Sequence, residues 1–422
     1  MPRPSRDVLR PDRITVILAA VLVPLALLTA VALVALWPSG SAQVTDVAAE
    51  EADFVTGRLL SAHEESCAGT DENRLPDGTV PGAVDCTRAR IEVPRGDGTE
   101  VVEVWTPATL RSTDLPAGTQ VVLARYPAAD GTSETWVWQD LARSTPLTAL
   151  AIGFALVVVA VAGIRGLRAL IGLMIAFAVI AAFILPALLE GRDGLLVGVV
   201  GSSAIMFAVL YLAHGFSRRT TTALLGTLAG LGLTAGLGAL VAHAAHLTGV
   251  TTEETYRLAT YTGQLDADGL RGLFLCGVVL AGLGVLNDVT ITQASAVWEL
   301  RALDPTARRR DLVARGMRIG RDHIASTVYT IAFAYAGAAL PVLLLLEIYQ
   351  LPPLQTISSG AFAEEIARTL VGSIGLVLAI PLTTAIAAVV VTAGPVPSPD
   401  DVGSRRGRRR LALGQGGHTH AH

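Results

Sequence analysis

The sequence predicts a membrane all-α bundle of about eight transmembrane helices, carrying a small extracytoplasmic all-β domain of OB-like barrel or sandwich type. Three observations predict it. Of 422 residues, 51% are hydrophobic and only 16% are charged, whereas a soluble domain is about a quarter charged. The apolar residues gather into eight runs that reach the spanning length of about 20 residues. The arginines occupy alternate connections between those runs, the pattern of a chain that threads a bilayer.

Residues 1–13 read as a cytoplasmic N-terminus and 14–37 as the first span. The apolar stretch from Ile14 to Trp37 exceeds the roughly 7–15 residues of a signal-peptide core. It therefore reads as an uncleaved anchor, although Ser39-Gly40-Ser41-Ala42 offers small residues for cleavage.

Residues 38–144 read as the extracytoplasmic domain. Strand signals recur at Phe54 to Leu60, Arg88 to Val93, Val101 to Trp105, Gln120 to Tyr126 and Thr135 to Gln139. Each is rich in β-branched or aromatic residues with polar alternation. Turn signals at Asp97-Gly98, Pro116-Ala117-Gly118 and Asp130-Gly131 separate them. Short strands at this spacing suit a small barrel or sandwich. Residues 64 to 86 read as a long loop. Cys67 and Cys86 bound it, and an exported domain favours a disulfide between them over two free thiols. No nucleophile, base and orienter set is visible in this domain, and His63 reads as a surface residue.

Residues 145–393 read as seven further spans. They are Pro146 to Ile164, Ala169 to Leu189, Leu195 to Ala213, Thr222 to His246, Leu273 to Trp298, Ile324 to Leu346 and Leu370 to Thr392. With the N-terminus inside, Arg165, Arg168, Arg218, Arg219 and the seven arginines from Arg301 to Arg321 are all cytoplasmic. The short external connections hold only Arg192, Arg257, Arg271 and Arg368, and they also carry Glu190, Asp193, Glu253, Glu254, Asp266, Asp268, Glu364 and Glu365. A miscounted span would invert every later connection and destroy this agreement. Residues 394–422 read as a disordered cytoplasmic tail, basic from Arg405 to Arg410, with alternating His418, His420 and His422 at its end. Both termini are thus expected inside. All 32 basic residues are arginine, and aromatics are 5% of the chain, too few for a nucleic-acid stacking surface.

Two helices carry the informative side chains. The Thr222 to His246 run holds Gly226, Gly230, Gly232 and Gly236 at spacings of four, which lets another helix approach closely in lipid. The Leu273 to Trp298 run holds Asn287, Asp288, Thr292, Gln293 and, just past it, Glu299. If that helix is continuous, Asp288 lies past its centre toward the cytoplasm. An ionised Asp at mid-bilayer costs about 2.5–3.5 kcal/mol on insertion scales and usually marks an ion or proton path. If the helix instead ends near Leu286, Asp288 caps a separate interfacial helix. Asp322 and His323 precede the next span, and an Asp–His pair titrating near neutrality could relay protons. Cys276 reads as a small packing residue.

The stretch from Gly284 to Arg301, with Asn287-Asp288 and Thr290-Ile291-Thr292-Gln293 inside it, resembles the signature of the YibE/F family. So do Ile319 to Thr330 and Glu364 to Ser373. The layout of an anchor, an external domain and a helical bundle is similar as well. The resemblance implies a bacterial multi-pass membrane protein and brings no established activity. The family pattern is expected to have Asp-Asp where this chain has Asn287-Asp288, which leaves Asp288 as the residue that matters most. The order of the last three spans also resembles, more distantly, the SecD/SecF and RND-type permeases, though four helices stand between the external domain and those spans where such a permease has fewer.

These features point to an ion- or proton-coupled transporter or export accessory built on Asp288. The alternative is a non-catalytic scaffold or sensor whose β domain binds an envelope partner. An enzyme is disfavoured, because no metalloprotease, aspartyl or Ser–His pattern appears. No cofactor or metal is called for. The bilayer is the expected partner, and a homo-oligomer or an envelope protein remain open.

Overall fold

The computed structural model describes residues 13–40, 52–75, 77–107, 109–127, 134–262, 267–350 and 352–393. The arginines of the N-terminus before Arg13, the turn at Asp130-Gly131 and the basic, histidine-ended tail lie outside them. The chain divides into two compact units, Val44–Gly163, and Met1–Gln43 with Ile164–His422.

The first unit is built on a five-stranded antiparallel sheet of β1 (Asp53–Cys67), β2 (Val84–Arg95), β3 (Gly98–Trp105), β4 (Gln120–Tyr126) and β5 (Thr135–Leu141). Its order is β3-β2-β1-β4-β5. Alternation along each strand sends Leu59, Ile91, Val93, Val104, Leu123 and Trp138 to one buried face. β1 is long enough to serve two neighbours. Its first half pairs with β4 and its second half with β2, with a bulge between Leu59 and Ser61 at the changeover. Gly57 sits there because a Cβ would stand 2.5 Å from the Ile91 Cγ2. The terminal strands β3 and β5 lie against one another, and Arg95 pairs with both Glu100 and Glu134 across them. β1 and β2 run further than the sequence suggests, to Cys67 and back from Val84, because their ladder continues to the cysteines. The expected loop over 64–86 shrinks to 68–83. Cys67 and Cys86 are disulfide-bonded, with Cα atoms 5.9 Å apart.

The helices follow as α1 (Arg13–Ala35), α2 (Ser144–Val179), a π-helical turn (Ile180–Ile184), α3 (Leu185–Leu189), α4 (Gly194–His214), α5 (Arg218–Ala244), α6 (Glu253–Thr262), α7 (Ala267–Leu303), α8 (Arg309–Ala338), α9 (Leu340–Tyr349), α10 (Pro353–Ile357) and α11 (Gly360–Thr392). Among the described residues six helices are long and apolar enough to cross a membrane. The second and third expected spans fall on one of these, Ser144–Leu189, which breaks at Gly163 with φ +58°. The seventh expected span is divided between α8 and α9. Pro341, second in α9, cannot donate into a continuous helix, so the apolar stretch is cut short.

In the second unit α5, α7 and α11 form the centre, with α4 and α8 packed on α7. Small residues set the approach. A Cβ on Gly226 would stand 2.1 Å from the Thr383 hydroxyl, and one on Gly230 2.8 Å from Leu286. Gly232 and Gly236 are exposed, with open space where a Cβ would go. Only the first pair of the expected packing glycines therefore packs, because the helix turns the second pair outward. Along α1, Ile14 and Leu18 pack near Val390 and Trp298, while Leu33 and Leu36 reach Phe183. Beyond its end, the Gly40 N–H donates to Glu190 at 2.7 Å.

Candidate functional site

α7 is unbroken from Ala267 to Leu303. Asp288 is therefore an interior helix residue, and the reading in which it caps a separate helix fails. Its depth in the bundle follows from its neighbours. Leu286 meets Gly230 and Ala379, and Thr290 meets Thr227. These partners lie well inside α5 and α11, far from their ends.

The inward face of α7 is a packed polar seam. The Thr227 hydroxyl donates to the Ala223 carbonyl at 3.0 Å and the Thr290 hydroxyl to the Asn287 carbonyl at 3.3 Å, and the two hydroxyls stand 2.6 Å apart. Gln293 donates from Nε2 to the Gly316 carbonyl at 2.8 Å and to the Thr384 hydroxyl at 2.7 Å. Thr384 in turn donates to the Ile380 carbonyl at 2.7 Å. Thr227, Thr290, Gln293, Thr383 and Thr384 are all buried. α8 reaches Gln293 this closely because Gly316 and Gly320 face it. A Cβ at either would stand 2.9 Å from Thr384 or 2.6 Å from Ile380.

The outward face of α7 differs. The Asp288 side chain is 75% exposed, and the His323 Nε2 of α8 approaches its Oδ2 at 4.0 Å. That is ion-pair range without a hydrogen bond. The Asn287 Oδ1 and the His323 Nε2 are buried atoms with no hydrogen-bond partner among the described residues. Thr292 is exposed and its hydroxyl donates back to the Asp288 carbonyl at 2.6 Å. Glu299 and Asp322 are exposed too.

The structure thus brings together Asp288, His323, Asn287 and Thr292. It separates Gln293, which lies five residues on and so roughly 140° round the helix from Asp288. Glu299 stands about three turns away. The sequence reading missed Gly316 and Gly320, although their spacing of four was a visible packing signal. It also missed the role of Glu364. This buried carboxylate accepts from the Gly249 N–H at 2.8 Å and from the Thr251 hydroxyl at 2.9 Å. A partly open cavity of about 20 Å³ between α7, α8 and α11 is lined by Val285, Tyr335, Arg368 and Ser373 among others, about one turn from Asp288 toward the N-terminal end of α7.

Long apolar helices, small-residue packing and a polar seam define a membrane-embedded helical protein. The chain belongs to the YibE/F-like protein family, whose model matches residues 150–393. No curated protein and no solved structure matches it. A likeness to SecD/SecF and RND-type permeases is therefore not shown.

Proposed function

We propose that this protein spans a bacterial cell membrane eight times with both termini in the cytoplasm. In this reading Asp288 and His323 form the ionisable centre of an ion- or proton-coupled transporter or export accessory. Eight spans are supported by length. The 46 residues of Ser144–Leu189 would reach about 69 Å as a single helix, twice the hydrocarbon thickness of about 30 Å, and the break at Gly163 divides them. The apolar end of α8 continued by α9 supplies the seventh span. The alternation of arginines supports the orientation. The strand order and the approach of β3 to β5 support an OB-like barrel outside the membrane.

One observation carries the functional reading: a carboxylate and an imidazole 4.0 Å apart on two different helices, midway along the bundle. A proton or cation taken up there changes the attraction between α7 and α8, which couples occupancy to helix position. Asp288→Asn in reconstituted vesicles tests this. Loss of an ion-driven flux with folding intact is expected. Unchanged flux, or none from the unaltered protein under any imposed gradient, sinks it.

The second reading is a scaffold or sensor, favoured by the packed seam around Gln293, which resembles a structural joint more than a conduit. Here the β unit binds an envelope protein and the helices anchor it. Cross-linking from exposed β-unit positions to one defined envelope protein, unaffected by Asp288→Asn, would support it.

A further inference from the structure

We infer that the small cavity between α7, α8 and α11 is a binding site for one monovalent anion of halide size, held by Arg368, Tyr335, Thr369 and Ser373. The inference goes beyond the reading above, because it gives the chain an anion site apart from the Asp288–His323 pair.

Arg368 of α11 donates from Nη1 to Glu365 at 3.1 Å, and its guanidinium carbon stands 5.7 Å from the centre of the Phe274 ring. Its Nε is buried and has no hydrogen-bond partner among the described residues. A buried N–H in that state is costly, so an acceptor that can enter beside it is favoured. Arg368 lines the cavity together with Thr369 and Ser373 of its own helix and Tyr335 of α8. A Ser or Thr inside a helix often donates to the carbonyl four residues back, as Thr384 and Thr392 do further along α11. Neither Thr369 nor Ser373 makes such a bond among the described residues, and the Tyr335 hydroxyl makes none either. Three uncommitted hydroxyls and a guanidinium thus border one space, and no carboxylate or amide side chain lines it.

Size and charge select the guest. The cavity measures about 20 Å³, which admits one guest of about the size of a water molecule and is too small for a phosphate. Donors set beside a permanently charged guanidinium favour an acceptor that carries negative charge. A halide meets both demands. Glu365 offsets part of the guanidinium charge, so the site holds its guest weakly and exchanges it readily.

Melting of the purified full chain in detergent tests the inference, in gluconate buffer titrated with chloride or bromide at constant ionic strength. A ligand of the folded state raises the melting temperature, so a saturable rise is expected with either halide and none with inorganic phosphate. Ser373→Ala and Tyr335→Phe each remove one donor and keep the Arg368–Glu365 pair. Each is expected to shift half-saturation upward about tenfold. Arg368→Gln should abolish the saturable rise, and Gly232→Val, on an open face of α5, should leave it unchanged. No saturable rise in the unaltered chain, an equal rise with phosphate, or the same titration in Ser373→Ala and Tyr335→Phe overturns the inference and leaves the cavity to water. The result is read from binding and not from flux. A saturable halide effect in a chain that carries no flux keeps this site and removes the transport reading, whereas flux that needs Asp288 without any halide effect does the reverse.

Discussion

Gln293 of α7 spends both amide protons across helices, one on the Thr384 hydroxyl of α11 at 2.7 Å and one on the Gly316 carbonyl of α8 at 2.8 Å. A single side chain thereby ties three helices at one level. Interhelical hydrogen bonds in membranes contribute about 0.6 kcal/mol on average and up to about 1.7. Gln293→Ala is therefore expected to lower stability by about 1–2 kcal/mol. Gly320→Val, which forces a side chain into Ile380, should cost more, about 1–3 kcal/mol or above. Unfolding by denaturant in mixed micelles would rank the two, and a larger loss from Gln293→Ala would contradict the packing order argued here.

The glycines of α5 give a matched pair of substitutions. Gly226→Val places carbon where the Thr383 hydroxyl now lies, 2.1 Å from the new Cβ, whereas Gly232→Val meets open space. The first is expected to reduce the yield of folded protein in detergent and its melting temperature. The second should leave both within error, since valine is an ordinary residue in a lipid-facing helix. Equal losses at both positions would mean that α5 is buried on both faces.

The β strands were legible because their cue is local: alternation between turn residues marks each strand, and Gln120–Tyr126 was placed to the residue. The ends of β1 and β2 were not legible, since Glu64 to Cys67 is polar and becomes strand only through pairing with Val84 to Thr87. In the helices, composition gave the apolar runs but not their faces. Gly226 and Gly232 look alike in sequence, and only the partner helices decide which one is buried. Asp288 and Gln293 likewise looked like one polar site. Helical geometry sends Gln293 into the seam and Asp288 outward. Asp288 and His323 both stood among the candidate residues, but a distance between two helices cannot be read from one chain.

The β unit carries its own acid sensitivity. Hydrogen bonding from Arg58, and then from Thr99, holds the Glu92 carboxyl below its ordinary range. The Leu141 N–H and then Arg143 do the same for Asp140. For a carboxyl whose folded pKa is depressed, the stabilisation is present above the unfolded value and is lost as pH falls through the folded one. Asp140 is exposed and Glu92 is partly so, so the effect is modest and weakens with salt. Melting followed by tryptophan fluorescence, to which Trp105, Trp136 and Trp138 of this unit contribute, should fall in temperature as pH drops below the carboxylate range. Glu92→Gln should flatten that fall. An unchanged slope would remove Glu92 from the account.

Glu364 shows how one buried carboxylate can hold a connection in place. Its two oxygens take the Gly249 N–H and the Thr251 hydroxyl, fastening the segment between α5 and α6 to the start of α11. Gly249 has φ +77°, and a Cβ there would stand 2.1 Å from the Leu270 carbonyl oxygen, so the segment has no freedom to bond elsewhere without moving. Glu364→Ala strands a buried N–H, at a cost of about 1–3 kcal/mol. Glu364→Gln keeps one acceptor for Gly249 and should lose less. Hydrogen exchange across residues 247–252 should accelerate strongly in the alanine variant and less in the glutamine one. If both variants exchange alike, the carboxylate's charge outweighs its geometry. If neither differs from the unaltered chain, the segment is held by Arg271, whose Nε donates to the Leu247 carbonyl at 3.1 Å, and Glu364 only fills space.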